Sequence, residues 1–257
     1  MWVFCCGNSR SGSTLQYQLA AELIESLRLG RRLGFINSET FKTLRDKEGA
    51  QKELQVVKCH DYIKDAAELI KKNEARAVYI YRDIRDVVVS VMNVTKKGFY
   101  HAIKDGQADY FLKVDHGWRS CPNILISRYE EMVDNRTGEV LRIAAYLGIK
   151  TEEVSAAEIA RKFSMEEQKK RIQEVDYKRI YQESGRDDAP EPFSMLKSTT
   201  ITSGKIKQWS ARLTSFQIGM IEGIAGSWLR KNNYIVTQPW WLRKFAFFVY
   251  ILFVRKV

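Results

Sequence analysis

Trp2-Val3-Phe4-Cys5-Cys6-Gly7-Asn8-Ser9-Arg10-Ser11-Gly12-Ser13-Thr14-Leu15 is the stretch that decides the fold. Its first five residues are apolar, as in a strand buried on both faces. After Thr14 the period changes. Leu15, Leu19, Leu23 and Leu27 recur at every fourth position and mark one face of a helix. Between the two lies a short run of Gly, Ser, Asn and Arg. A strand that feeds a helix through such a loop aims free backbone N–H groups and the positive helix end at one point. That point suits an anion, most often a phosphate.

Gly7 and Gly12 have the separation of the P-loop pattern G-x-x-x-x-G-K-[ST], but Ser13 stands at the lysine position. An ATP-dependent kinase or other P-loop phosphotransferase needs that lysine and a metal-holding Asp. This class is therefore the alternative reading. The cation of this loop comes earlier, at Arg10.

The 257 residues are 45% hydrophobic and 28% charged, enough for one large α/β domain with a core of its own. With 42 Lys and Arg against 31 Asp and Glu, the formal charge is +11, which favours a polyanionic partner. No nucleic-acid-binding motif and no interleaved basic and aromatic surface occurs, so a nucleic acid is not expected as partner. Cys5, Cys6, Cys59 and Cys121 form no C-x-x-C pair, and the three histidines have no zinc-site spacing. The reading is reduced thiols, no metal and a cytoplasmic location. A strand starting at residue 2 leaves no room for a signal peptide.

Further strands are expected at residues 55–58, 77–81 and 124–127, with helices at 14–29, 63–73, 86–95 and 109–120. Near-continuous apolar strands separated by helices imply a parallel central sheet flanked by helices, a three-layer α/β architecture like that of P-loop nucleotide-binding proteins. Ligands of such sheets sit at the carboxyl ends of the strands. Later the chain turns helical: residues 140–147 end at Gly148, and Thr151 is the expected N-cap of the next helix. Residues 183–204 are poor in apolar side chains and hold Pro190 and Pro192, so they read as a long mobile loop or lid.

Three more segments carry chemistry. Lys58 and His60 lie two apart at a strand end and point to the same side, which pairs a cation with a proton acceptor. Arg82 ends the next strand, and Ser90 lies in the helix after it, within reach of the same anion. Gly204-Lys205-Ile206-Lys207-Gln208-Trp209 is a glycine loop with lysines that suits a phosphate.

These segments, in this order, resemble the sulfotransferases that use 3′-phosphoadenosine 5′-phosphosulfate (PAPS) and release the bisphosphate PAP. Residues 10–14 match that family's 5′-phosphosulfate loop, K/R-S-G-T/S-T. Arg82, Arg85, Asp86 and Ser90 match R-x-P-[KR]-D-x-x-x-S, with Ile84 in place of Pro. Lys58 and His60 match K-T-H around Cys59, Tyr129-Glu130-Glu131-Met132 matches Y-E-D-L, and Gly204 and Trp209 match G-x-x-x-x-W. Two departures stand out. Leu15 replaces the Trp often found beside the adenine, and Thr202-Ser203 replace the Arg-Lys that grips the 3′-phosphate. Lys197, Lys205 and Lys207 are the alternatives for that grip. The resemblance implies PAPS as donor, no metal, and a hydroxyl acceptor on a carbohydrate, lipid or small alcohol. It makes His60 the general base and sets Lys58 and Arg10 on the developing charge. Arg10, Ser11, Gly12, Ser13 and Thr14 then bind the 5′ end of the cofactor. Arg82 and Ser90 bind its 3′-phosphate, with Gly204 and Lys205 of the late loop, and Tyr129 touches the adenine edge. The acceptor pocket falls to residues 36–51, 96–109 and 183–203.

Residues 1–237 are read as the sulfotransferase domain and 238–257 as a tail. In the tail, Trp240-Trp241-Leu242-Arg243-Lys244 precedes ten apolar residues and Arg255-Lys256-Val257. Ten residues do not span a bilayer, which takes about 20. Boundary Trp and flanking cations suit an interfacial segment, so a peripheral place at the inner face of the membrane is expected, the alternative being a terminal helix packed on the domain.

Overall fold

The computed structural model describes residues 1–49, 52–104, 107–199, 201 and 204–255. Gln51 of the first expected acceptor loop, Asp105 and Gly106 of the second, Thr200, Thr202 and Ser203 before Gly204, and Lys256 and Val257 of the tail lie outside them.

Five strands form one parallel sheet: β1 Trp2–Gly7, β2 Gly30–Phe35, β3 Leu54–Cys59, β4 Ala75–Tyr81 and β5 Leu125–Arg128, in the order β2-β3-β1-β4-β5. The helices are α1 Ser13–Ser26, α2 Ser38–Glu48, α3 Lys64–Lys71, α4 Ile84–Thr95, α5 Phe99–Ile103, α6 Gln107–Arg119 and α7 Tyr129–Asp134. There follow α8 Arg136–Leu147, α9 Glu153–Lys162, α10 Met165–Glu174, α11 Tyr177–Ser184, α12 Trp209–Arg212, α13 Ser215–Lys231 and α14 Trp240–Val249, with a π-helical turn at Tyr250–Val254. The chain divides into two compact units. Met1–Tyr81 with Gly117–Ile201 is the first, and Arg82–His116 with Thr202–Val257 the second.

The first unit holds the sheet. Its apolar residues alternate in their targets, as the two-residue period of a strand demands. Val3 and Cys5 join the cluster built with Leu19, Leu23 and Ile24 of α1, Ile143 of α8 and Ile159 of α9. Trp2 and Phe4 face the other way and meet Phe41 of α2 edge-on, with centroids 5.2 and 5.1 Å away. Helices thus cover both faces, the expected three layers. β1 lies between β3 and β4, with Cys6 opposite Cys59 and Gly7 opposite Ile80. The loop after Gly7 therefore leaves the sheet between two carboxyl ends.

The second unit is helical. Asp83 caps α4 by accepting from the Arg85 N–H at 3.0 Å, and Thr214 and Gln217 form a capping box at α13. Asp86, Ile84 and Val89 of α4 are buried.

Several expectations change. β2 was not expected: its sequence, GRRLGF, has two glycines and two arginines, lies at the sheet edge and carries a register shift between Arg32 and Gly34. The first helix stops at Ser26, because Arg28 turns left-handed (φ 54°) to start β2; Leu27 is left 40% exposed. Thr151 is not the N-cap. Glu152 takes that place without a side-chain bond, and the Thr151 hydroxyl has no partner among the described residues. Within the segment expected to be a mobile loop, residues 191–196 form a turn tied to β2 and α1. Glu191 N–H donates to Leu196 O at 2.7 Å, Gln18 Nε2 donates to Ser194 O at 2.7 Å, and Arg32 stacks on Phe193. Parts of the expected acceptor loops are helices, α2 and α5.

Gly12 takes φ 94°, and a Cβ there runs into the Tyr129 ring. Gly12→Ala is expected to cost about 1–3 kcal/mol or more from the backbone alone. Urea unfolding measures it. Removing the ring with Tyr129→Ala should return only part of the loss, and an unchanged midpoint in Gly12→Ala refutes the account.

Candidate active site

The loop after β1 is built from backbone first. Ser11 N–H and Oγ both reach Asn8 O, at 3.1 and 2.6 Å, and close a tight turn. Arg10 at φ 69° and Gly12 at φ 94° both sit in the left-handed region and turn the chain into α1. α1 starts at Ser13, so the first N–H groups of the helix face the loop. No Asp or Glu occurs before Glu22. Gln16, in the first turn, is fully buried, and neither polar atom of its amide has a partner among the described residues.

Next to this loop β3 brings Lys58 and His60. His60 Nδ1 lies 2.8 Å from Gly7 O. A carbonyl only accepts, so Nδ1 carries the hydrogen and the lone pair is on Nε2. Lys58 Nζ donates to that nitrogen at 3.1 Å. Ser13 Oγ is 3.5 Å from Nδ1 on the loop side. The Phe35 ring of β2 stands 5.3 Å from the imidazole and 5.1 Å from Lys58 Nζ, and it is 45% exposed.

The charges here repel one another. Burial, with smaller contributions from Lys197 and Arg10, lowers Lys58 to about 7. Burial and then the Lys58 charge lower His60 to about 3, against the pull of its bond to Gly7. A neutral, oriented imidazole therefore stands among three cations with no carboxylate in the loop. This donor set fits a dianion: the loop N–H groups, Arg10 and Lys58 would hold it, and its charge would offset the repulsion. Among the described residues no group of His, Cys, Asp or Glu is placed to hold a metal ion.

In the second unit Arg82 is buried and donates from Nη2 to Lys205 O at 2.9 Å. Asp86 accepts from the Lys207 N–H at 2.7 Å and the Trp209 N–H at 3.1 Å, with Arg82 3.8 Å away. One carboxylate thus fastens the late loop to α4, although burial raises its pKa. Gly204 opens that loop at φ 65°. Arg85 is engaged elsewhere, forked onto Asp83, bonded to Glu222 at 2.8 Å and stacked on Trp209.

The structure gathers Ser13, Lys58 and His60 in one unit, and Arg82, Lys205 and Asp86 in the other. Thr14 is the second residue of α1, Ser90 is buried in α4, and Tyr129 is 7% exposed with its ring beneath Gly12. Lys197, weighed for the 3′-phosphate, acts electrostatically on Lys58 and His60, and its Nζ is bonded to Asp188 at 2.5 Å. Sequence reading missed four contributors. The Gly7 carbonyl and the Gln16 amide have no motif, Phe35 sits on the unread strand, and Asp86 was legible in the matched motif but had no role.

A parallel five-stranded sheet flanked by helices, with a glycine-containing loop between its first strand and helix, defines an α/β protein of the P-loop-like class. The sulfotransferase domain profile matches residues 3–233, so the chain belongs to the sulfotransferase family. It is similar to an amine sulfotransferase of Oryctolagus cuniculus, 27% identical over 168 residues, which is 58% of this chain and 52% of that protein. The match thus spans about half the length of that curated relative. Mouse sulfotransferase SULT7A1 complexed with PAP has a similar fold, with TM-score 0.65 at 17% identity over 90% of this chain and 84% of that one. Retinol dehydratase in complex with androsterone and inactive cofactor PAP superposes with TM-score 0.59 at 17% identity, over 93% and 82% of the two chains.

Lys58 is charged below its lowered pKa of about 7 and neutral above it. Binding of inorganic sulfate, whose charge is constant in this range, should therefore weaken as pH rises through about 7. Calorimetric titration on either side of that pH tests it. Lys58→Arg, which stays charged, should flatten the dependence, and a flat profile in the unaltered chain refutes it.

Proposed function

We propose that this protein transfers the sulfuryl group of PAPS to an acceptor hydroxyl, on a carbohydrate, a lipid or a small alcohol. The observation that carries the reading is the bond from His60 Nδ1 to Gly7 O, which leaves Nε2 as a base beside the phosphate-type loop. When bound, the donor supplies an activated sulfuryl group on a phosphate leaving group.

His60 Nε2 takes the acceptor proton. For this Lys58 turns its Nζ from Nε2 toward the anion, and the negative charge beside it lifts His60 from about 3 toward working range. Arg10 and Lys58 stabilise charge that builds on the leaving side, and the N–H groups of residues 12–14 hold the 5′-phosphate, in a loop whose turn is closed by the Ser11 N–H on Asn8 O. Ser13 and Thr14 add hydroxyl donors, while Ser11, expected to be a third, donates its hydroxyl hydrogen to Asn8 O and acts by shaping the loop. Arg82 and Ser90 take the 3′-phosphate, with Gly204 and Lys205 in the loop that Asp86 fastens, and Tyr129 keeps its expected place at the adenine edge. Residues 1–237 carry this chemistry. The tail, 238–257, attaches the protein peripherally to the inner, cytoplasmic face of a membrane. Ser13 at the P-loop lysine position argues against the kinase alternative.

Calorimetric titration with PAP, 5′-AMP and ATP tests the reading. Micromolar binding of PAP and little of the others supports it, and preference for ATP with Mg²⁺ overturns it. His60→Ala is expected to lower turnover about 10²–10⁴-fold with PAP affinity retained. Unchanged turnover removes His60 from the mechanism. Arg82→Ala removes a charge-assisted bond of about 1.5–3 kcal/mol and should weaken PAP much more than 5′-AMP. Equal losses for both ligands count against the assignment.

A further inference from the structure

We propose that the outward face of α14 and of the π-helical turn after it seats this protein on an anionic lipid surface, lying flat in the interface. The inference rests on the peripheral attachment read above and not on the sulfuryl chemistry.

The inner side of α14 is settled. Ala246, Tyr250 and Val254 recur every fourth residue and are buried. α14 lies so close to α13 that a Cβ at Gly223 would stand 2.7 Å from Arg243 O and 2.9 Å from Phe247 Cβ. The far end is latched, since Asp109 of α6 accepts from Tyr250 Oη at 2.8 Å and pairs with Arg255 at 3.4 Å. The other side of the helix is therefore held outward.

That other side carries Trp240, Trp241, Phe245, Phe248, Leu252 and Phe253, each 54–76% exposed. A continuous aromatic strip of this kind needs a partner. Two features select lipid. The first is charge: after Glu222 the chain has no Asp or Glu but six Lys and Arg. α14 and the turn after it carry no carboxylate, and Asp109 is taken by Arg255 and Tyr250, so a second copy meeting this face would bring Lys244 no carboxylate from its own α14. A layer of anionic headgroups pairs the exposed Lys244. The second is the ring chemistry. Lys244 Nζ lies 5.0 Å over the Trp240 ring, and Trp beside Lys is the pairing that suits the headgroup level. Residues 240–254 reach roughly 22 Å as a helix, short of a hydrocarbon core of about 30 Å. Among the described residues no helix is long and apolar enough to cross a membrane. An interfacial pose satisfies length, face and charge together.

The test uses the full chain with vesicles of phosphatidylcholine alone and with added phosphatidylglycerol. Sedimentation should show at least tenfold more protein on the anionic vesicles, with loss of binding at high salt and a blue shift of Trp emission. The triple variant Trp241→Ser, Phe245→Ser, Phe248→Ser should lose binding, while PAP titration reports its fold. If that variant fails to fold, Lys244→Glu decides, with an expected severalfold drop on anionic vesicles alone. No vesicle binding by the unaltered chain overturns the proposal, whether it is monomeric or pairs through this face. Equal binding to both vesicle types overturns the anionic requirement. Failure of PAP binding with vesicle binding intact would strike the sulfuryl reading and leave this one standing.

Discussion

The bond between Gly7 O and His60 Nδ1 is the constraint on which the site depends. It exists because β1 and β3 run side by side in parallel, with Cys6 opposite Cys59, so the residues just beyond those strand ends meet. A backbone carbonyl has one role in a hydrogen bond, and that role sets the tautomer of the ring. The same strand end must then turn at once into a helix. The left-handed backbone at Arg10 and Gly12 does this, over the Tyr129 ring. Sheet register, loop geometry and imidazole orientation are one arrangement.

The two units treat charge in opposite ways. Around His60, cations collect without a carboxylate in the loop, and burial lowers both Lys58 and His60. Such a cluster disfavours its own charges and favours an incoming anion. In the second unit the buried charges around Arg85 are answered. Buried Glu222 accepts from Arg85, from Thr237 N–H and Oγ1, and from Gln238 N–H, while Arg85 also forks onto Asp83. Breaking such a pair leaves an uncompensated buried charge, so this network stabilises a shape. Asp86 uses the same device to hold the late loop.

Four of the strands were legible because their residues are apolar and their ends lie next to motif residues. β2 was not, because an edge strand half open to solvent has no need of an apolar run, and its bulge breaks the alternation. The segment tied down by Ser194 was opaque for a related reason. Its anchors are a glutamine and a backbone carbonyl 176 positions apart, Gln18 and Ser194, and no local pattern pairs them. In the tail, the apolar run reads as uniform, yet packing on α13 divides it into a buried side and an exposed side.

By itself the sequence determined the layer order, the strand–loop–helix turn at residues 7–14 and the membership of the sulfotransferase family, since periodicity and motif spacing are local properties of the chain. Only the tertiary structure decided which nitrogen of His60 keeps its lone pair, that Lys58 faces it, that Asp86 holds the late loop and which side of α14 meets solvent. Each of these depends on the approach of atoms far apart in the chain, and such distances are set by sheet register and helix packing.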